Sequence, residues 1–136
     1  MANPTGVRET ILGTLTVRID SNLSGKEGYA VNFDTTDDLV VNLASDQTLP
    51  PFVLIEGADG STTETTGTIA LIGSIVKVKL GENVTAGKFL VPTASGTWEI
   101  ADAAGKRYGV VAIENGSSGD LALGMVTLGE VEATDA

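Results

Sequence analysis

The chain contains no cysteine and no histidine. Disulfide frameworks, thiolate nucleophiles, imidazole bases and Cys/His zinc sites are therefore excluded at once. Basic residues are also scarce, 8 against 18 acidic ones, for a formal net charge of −10. Nucleic acid is a poor partner for such a chain, because affinity for phosphates comes mainly from Lys and Arg releasing counterions. Aromatics make up 4% of residues, with one Trp, two Tyr and three Phe. That leaves little material for stacking on sugars, and although 18 carboxylates will place some pair within reach by chance, glycosidase chemistry is not expected. No stretch approaches the roughly 20 apolar residues of a membrane span, and residues 1–10 carry no apolar run of a signal peptide. The expectation is a soluble protein made in a cytoplasm, with no membrane partner.

What is present is a strand-and-turn pattern. In 136 residues, 42% are hydrophobic and 17 are Gly, a globular composition with room for one domain. Leu15, Val17 and Ile19 alternate with Thr14, Thr16, Arg18 and Asp20, and the same period recurs at Tyr29, Val31 and Phe33 and at Val76, Val78 and Leu80. A period of two puts one apolar and one wet face on each strand. Further strands are expected over 39–43, 52–56, 66–72, 88–91, 97–100, 108–113 and 121–128. Turn residues separate them, and Asn115-Gly116 is the strongest hairpin signal. Helix is expected to be minimal, with short candidates at 101–104 and near Asp46. The expected fold is all-β, a compact barrel or sandwich of about ten short strands over residues 11–130. A flexible, extended N-terminal arm (1–10) and an acidic C-terminal tail (131–136) flank it.

Two stretches, 22–73 and 83–129, echo each other. Gly28-Tyr29-Ala30-Val31 parallels Gly87-Lys88-Phe89-Leu90, Leu39 parallels Trp98, Val53-Leu54-Ile55-Glu56 parallels Val111-Ala112-Ile113-Glu114, and Leu71-Ile72-Gly73 parallels Thr127-Leu128-Gly129. The offset drifts from 59 at Gly28 and Gly87 to 56 at Gly73 and Gly129. Chance similarity between Gly-punctuated strands and an old duplication both account for this. A duplication would imply two similar β units in one barrel or sandwich.

Motifs that carry chemistry are weak. Asp34, Asp37 and Asp38 could offer oxygens to a hard cation, but the later Gly and Glu of an EF-hand are missing, and a solvated turn is expected. Asn22, Asn83 and Asn115 each begin a glycosylation sequon, read as turn residues in a chain without a secretion signal. The run 78–90 resembles the turn of lipoyl and biotinyl carrier domains but lacks their modified Lys at a hairpin tip. No catalytic, metal or cofactor residue is expected, and no cofactor. Trp98 and Tyr108 are expected in the core or a subunit contact, with a ligand platform the lesser reading of Trp98.

One resemblance extends over residues 25–130. Asn83-Val84-Thr85-Ala86-Gly87-Lys88-Phe89-Leu90, Ser95-Gly96-Thr97-Trp98-Glu99-Ile100-Ala101, Ala104-Gly105-Lys106-Arg107-Tyr108-Gly109-Val110-Val111-Ala112-Ile113-Glu114 and Ser118-Gly119-Asp120-Leu121-Ala122-Leu123-Gly124-Met125-Val126 resemble the small capsid cement, or decoration, proteins of tailed phages. Lys88 stands where that family commonly has Asp. The resemblance implies an all-β, non-enzymatic virion protein on the outer surface of the expanded head. It would staple neighbouring major capsid proteins against internal DNA pressure, often as a homotrimer. Asn3, Pro4, Thr5, Val7, Arg8 and Glu9 are then candidate capsid contacts, with Arg8 facing an acidic capsid site. Another virion part, such as a head-fibre base or tail accessory, is the alternative, followed by a carbohydrate-binding β module.

Overall fold

The computed structural model of the chain describes residues 8–45 and 47–132. Among them eleven strands form and no helix. Strand β2 (Thr14–Ile19) shows how the alternation is used: Val17 and Ile19 are buried while Thr14, Thr16 and Arg18 are exposed. It pairs antiparallel with β6 (Thr65–Ala70) over its whole length, from Thr14 opposite Ala70 to Ile19 opposite Thr65. The other strands are β1 (Arg8–Thr10), β3 (Ala30–Phe33), β4 (Val41–Leu43), β5 (Phe52–Glu56), β7 (Ile75–Lys79), β8 (Phe89–Pro92), β9 (Trp98–Ile100), β10 (Arg107–Ala112) and β11 (Leu121–Glu130).

They form two antiparallel sheets, one in the order β1-β7-β11-β10-β8-β9 and one in the order β2-β6-β5-β3-β4. Neither closes into a barrel, and the arrangement is sandwich-like. With the edge strand β1 set aside, the larger sheet repeats the order of the smaller, each strand replaced by the one five later. Backbone hydrogen bonds repeat with it. Gly28 N–H donates to Leu54 O (2.8 Å) and Leu54 N–H to Tyr29 O (3.0 Å), as Gly87 N–H donates to Ala112 O (2.7 Å) and Ala112 N–H to Lys88 O (2.8 Å). Both glycines hold a left-handed backbone, with φ of 88° and 93°, a conformation that costs a side-chain-bearing residue about 1 kcal/mol or more. In each unit the sheet curls until its last strand touches its first, through single parallel bridges between Arg18 and Val40 and between Leu80 and Trp98.

The core has two parts. Val17, Ile19, Leu23, Val31, Val41, Leu54 and Ile69 fill the curl of the five-stranded sheet. A larger cluster fills the curl of the six-stranded sheet and joins Val76, Val78, Leu90, Trp98 and Val110 to Ala30, Val53, Ile55 and Ala70 on the other face of the first sheet. The first sheet is thus buried on both faces. Strand β3 departs from the one-wet-face expectation for this reason: Ala30, Val31 and Asn32 are all buried, and Asn32 Nδ2 donates to Pro50 O (3.3 Å).

Local details differ from the sequence reading in four places. Residues 101–104 form coil, a bend and the start of a turn rather than a helix, tied by Lys106 Nζ donating back to Asp102 Oδ1 (2.9 Å). Asp46 itself lies outside the described residues. Asn115-Gly116 does not make a two-residue hairpin, since β10 ends at Ala112 and β11 begins at Leu121. Its backbone is taken instead by Val84, with Gly116 N–H and C=O bonded to Val84 at 3.0 and 2.9 Å. Leu39 lies before β4, in a turn with φ of 61°. At the ends, Arg8–Thr10 belong to the sheet as β1 because their backbone pairs with β7, Arg8 opposite Val76 and Thr10 opposite Ile75. Likewise Val131 is buried, its N–H bonded to Lys106 O (2.8 Å).

Candidate interaction surface

Trp98 is fully buried, so its ring cannot serve as a platform for a ligand. Its Nε1 donates to Gly28 O at 3.1 Å, fixing the indole between the two sheets. Tyr108 has a different position. Its ring stacks on Phe89 at 4.2 Å between centroids and 26° between planes, and both line a groove of about 400 Å³ with Ile100, Ala101, Glu130 and Val131. Of the candidate capsid contacts, Arg8 and Glu9 lie in β1 at the edge of the six-stranded sheet. Asn3, Pro4, Thr5 and Val7 lie outside the described residues.

The acidic turn is occupied by its own chain. Asp34 Oδ1 accepts from Thr36 N–H (2.8 Å), Thr36 Oγ1 (2.8 Å) and Asp37 N–H (3.2 Å), and Oδ2 accepts from Asn42 Nδ2 (3.2 Å). These donors favour the charged form, the Thr36 backbone N–H most, and lower the Asp34 pKa from 3.8 to about 2. Among the described residues no group of His, Cys, Asp or Glu is arranged to hold a metal ion. The three sequon asparagines also act in turns, their side-chain oxygens accepting from Ser24 N–H (3.1 Å), Ser118 N–H (3.0 Å) and Ala86 N–H (2.8 Å).

The feature that sequence reasoning did not single out is the outer face of the six-stranded sheet. Register aligns Phe89 on β8, Val111 on β10, Met125 on β11 and Ile75 on β7 in one row across four strands. Leu123 stands opposite Lys77 and Leu121 opposite Lys79 on the same side. Phe89, Ile113, Leu121 and Met125 are each between 37% and 44% exposed. A contiguous group of large apolar side chains on an open sheet face marks a site of contact with other protein rather than a place for chemistry. The signal in the sequence is the size alternation of β11. Ala122 and Gly124 alternate with Leu121, Leu123 and Met125, and the small residues face inward because a side chain at Gly124 would run into Val110.

The fold is similar to that of the head fiber gp8.5 N base in bacteriophage phi29, with a TM-score of 0.67 and 20% identity, over 88% of this chain and 98% of that one. No family model matches the chain, and no curated protein matches it. At that identity the likeness establishes a shared fold.

Proposed function

We propose that this protein is a structural component of a tailed-phage virion, seated on the outside of the head. The observation that carries the reading is the likeness to almost the whole of a phage head-fibre base, which joins the resemblance of residues 25–130 to capsid cement proteins. The chemistry is compatible with that place. A chain of net charge −10 is repelled by packaged DNA and favoured on the outer surface. An open apolar sheet face supplies protein contact without catalysis or cofactor.

In the finer reading the protein staples neighbouring major capsid proteins of the expanded shell. Binding to one state of the shell alone stabilises that state by mass action, about 2.7 kcal/mol per site at a hundredfold excess over Kd, and many copies multiply a modest contact. The second reading, a head-fibre base, is favoured specifically by the structural likeness. Residues 2–9 contribute to shell contact in either case, with Arg8 facing an acidic site.

Co-sedimentation with expanded and unexpanded heads of the same phage separates these readings. Saturable binding to expanded heads near one copy per major capsid protein, with loss of heat resistance when it is omitted, supports stapling. Binding at a small number of sites with no change in head stability supports the fibre base. Absence of binding to either overturns both. Deleting residues 2–7, which leaves β1 in place, should weaken binding, and unchanged binding would remove the arm from the contact.

A further inference from the structure

We propose that the outer face of the six-stranded sheet is a self-association surface, covered by a second copy of this chain. The argument compares equivalent faces of the two curled units within one molecule. Ala30 stands opposite Val53 in the first unit where Phe89 stands opposite Val111 in the second. Leu54 stands opposite Ile69 where Ala112 stands opposite Gly124. This register makes Ala30, Val53, Ile55 and Ala70 the counterparts of Phe89, Val111, Ile113 and Met125.

The two sets have opposite surroundings. Ala30, Val53, Ile55 and Ala70 are buried and belong to one cluster with Val76, Trp98 and Val110 of the second unit. Their counterparts face outward, with Val111 partly buried and the other three exposed. Nothing among the described residues covers them. The same face of the same fold is therefore covered by a five-stranded β unit in one half of the molecule and open in the other. Side-chain size follows the difference. The covered face carries alanines at two of its four positions, where the neighbouring sheet packs close, while the open face carries Phe and Met there. Large apolar side chains gain free energy only when a partner removes them from water.

Charge favours a second copy at this face over any other. Two chains of net charge −10 repel, yet Lys77 and Lys79 on β7, Lys88 beside Phe89 and Arg107 beside Tyr108 border the patch, half of the 8 basic residues in the chain. Self-repulsion is lowest where those cations collect. A second copy also brings the kind of occupant that the equivalent face already accepts within the chain, a five-stranded β unit. The inference rests on the internal repeat and not on the virion reading.

Sedimentation velocity of the full chain tests it. The wild type should sediment from micromolar to submillimolar concentration as a multiple of its 13.9 kDa mass. Met125→Glu and Phe89→Glu should return it to monomer with unchanged Trp98 emission, and Thr63→Glu, on an exposed loop, should leave the oligomer intact. A monomeric wild type, or variants that stay oligomeric, would overturn the proposal. If a Glu variant loses its native Trp98 emission, thiol labelling decides, because the chain has no cysteine of its own. Met125→Cys should label more slowly than Thr63→Cys at high protein concentration and equally at high dilution, whereas equal rates throughout would overturn it. A monomer that still binds heads would sink this inference and leave the virion reading standing.

Discussion

Trp98 and Gly28 join the two halves of the molecule: the indole N–H reaches the Gly28 carbonyl at 3.1 Å across 70 residues of sequence, and the same oxygen accepts Lys79 N–H at 3.0 Å. Ala30 N–H adds a third bond across the seam, to Gly96 O at 2.7 Å. The two sheets are thus held by directed bonds as well as by apolar contact, and the bonds converge where the curl of one unit meets the outer face of the other.

Trp98→Phe removes the indole donor and part of the ring at a fully buried site. The lost hydrogen bond costs about 1 kcal/mol and the unfilled volume adds to it, for a total of about 2–3 kcal/mol. Urea unfolding followed by far-UV circular dichroism measures the loss. A change below about 0.5 kcal/mol, the range of ordinary surface substitutions, would mean that the seam does not depend on this side chain.

Two glycines separate backbone strain from crowding. Gly87 has φ of 93° and open space where a Cβ would stand, so Gly87→Ala should cost about 1 kcal/mol from conformation alone. Gly96 has φ of 83°, and a Cβ there would lie 2.6 Å from Leu43 Cδ1 and 3.3 Å from the Ala30 carbonyl oxygen. Gly96→Ala should therefore cost about 1–3 kcal/mol more through overpacking. Comparison of the two urea midpoints checks this, and equal effects would argue against a tight seam.

Leu39 is held at φ of 61° while half its side chain faces solvent. Leucine pays for this conformation and gains little burial in return. Leu39→Asn, whose side chain tolerates the left-handed region, should raise stability by about 0.5–1 kcal/mol. Thermal and urea unfolding would show the gain, and a loss would mean that Leu39 packs more than its exposure indicates.

The Asp34 carboxylate ties the turn over 34–37, and hydrogen bonding holds its pKa at about 2 against an ordinary 3.8. Because the folded-state value is the lower one, its contribution to stability is complete above about pH 4 and is lost as pH falls toward 2. Asp34→Ala should lower the urea midpoint near neutral pH, and the gap to wild type should close through that window. A gap that stays constant down to pH 2 would show that the ionised carboxylate is not what secures the turn.

The strands were legible because most carry a simple period. The expectation for β5 matches at both ends, 52–56, and that for β2 lies within one residue. Strand β1 was missed because Arg-Glu-Thr has no apolar alternation and is a strand only through backbone pairing with β7. In β8 and β11 both sides are apolar or small, so periodicity could not say which side faces water, and the exposed row through Phe89 and Met125 stayed hidden. The echo between Gly28-Tyr29-Ala30-Val31 and Gly87-Lys88-Phe89-Leu90 falls at equivalent hydrogen bonds of the two units. Leu39 and Trp98 do not correspond in this way, since the bridge that matches Trp98 to Leu80 places Val40 against Arg18.

By itself the sequence determined the all-β class, the absence of cysteine and histidine chemistry, the acidity and most strand positions, because composition and period are properties of short stretches of chain. Tertiary structure decided which sheet is covered on both faces, where the Asn115-Gly116 backbone pairs and that Trp98 lies at the seam. It also decided that the large side chains of β11 point outward. Those outcomes depend on space: the interior beside Val110 has no room for a side chain at Gly124, and no local pattern records how far away the opposing sheet will be.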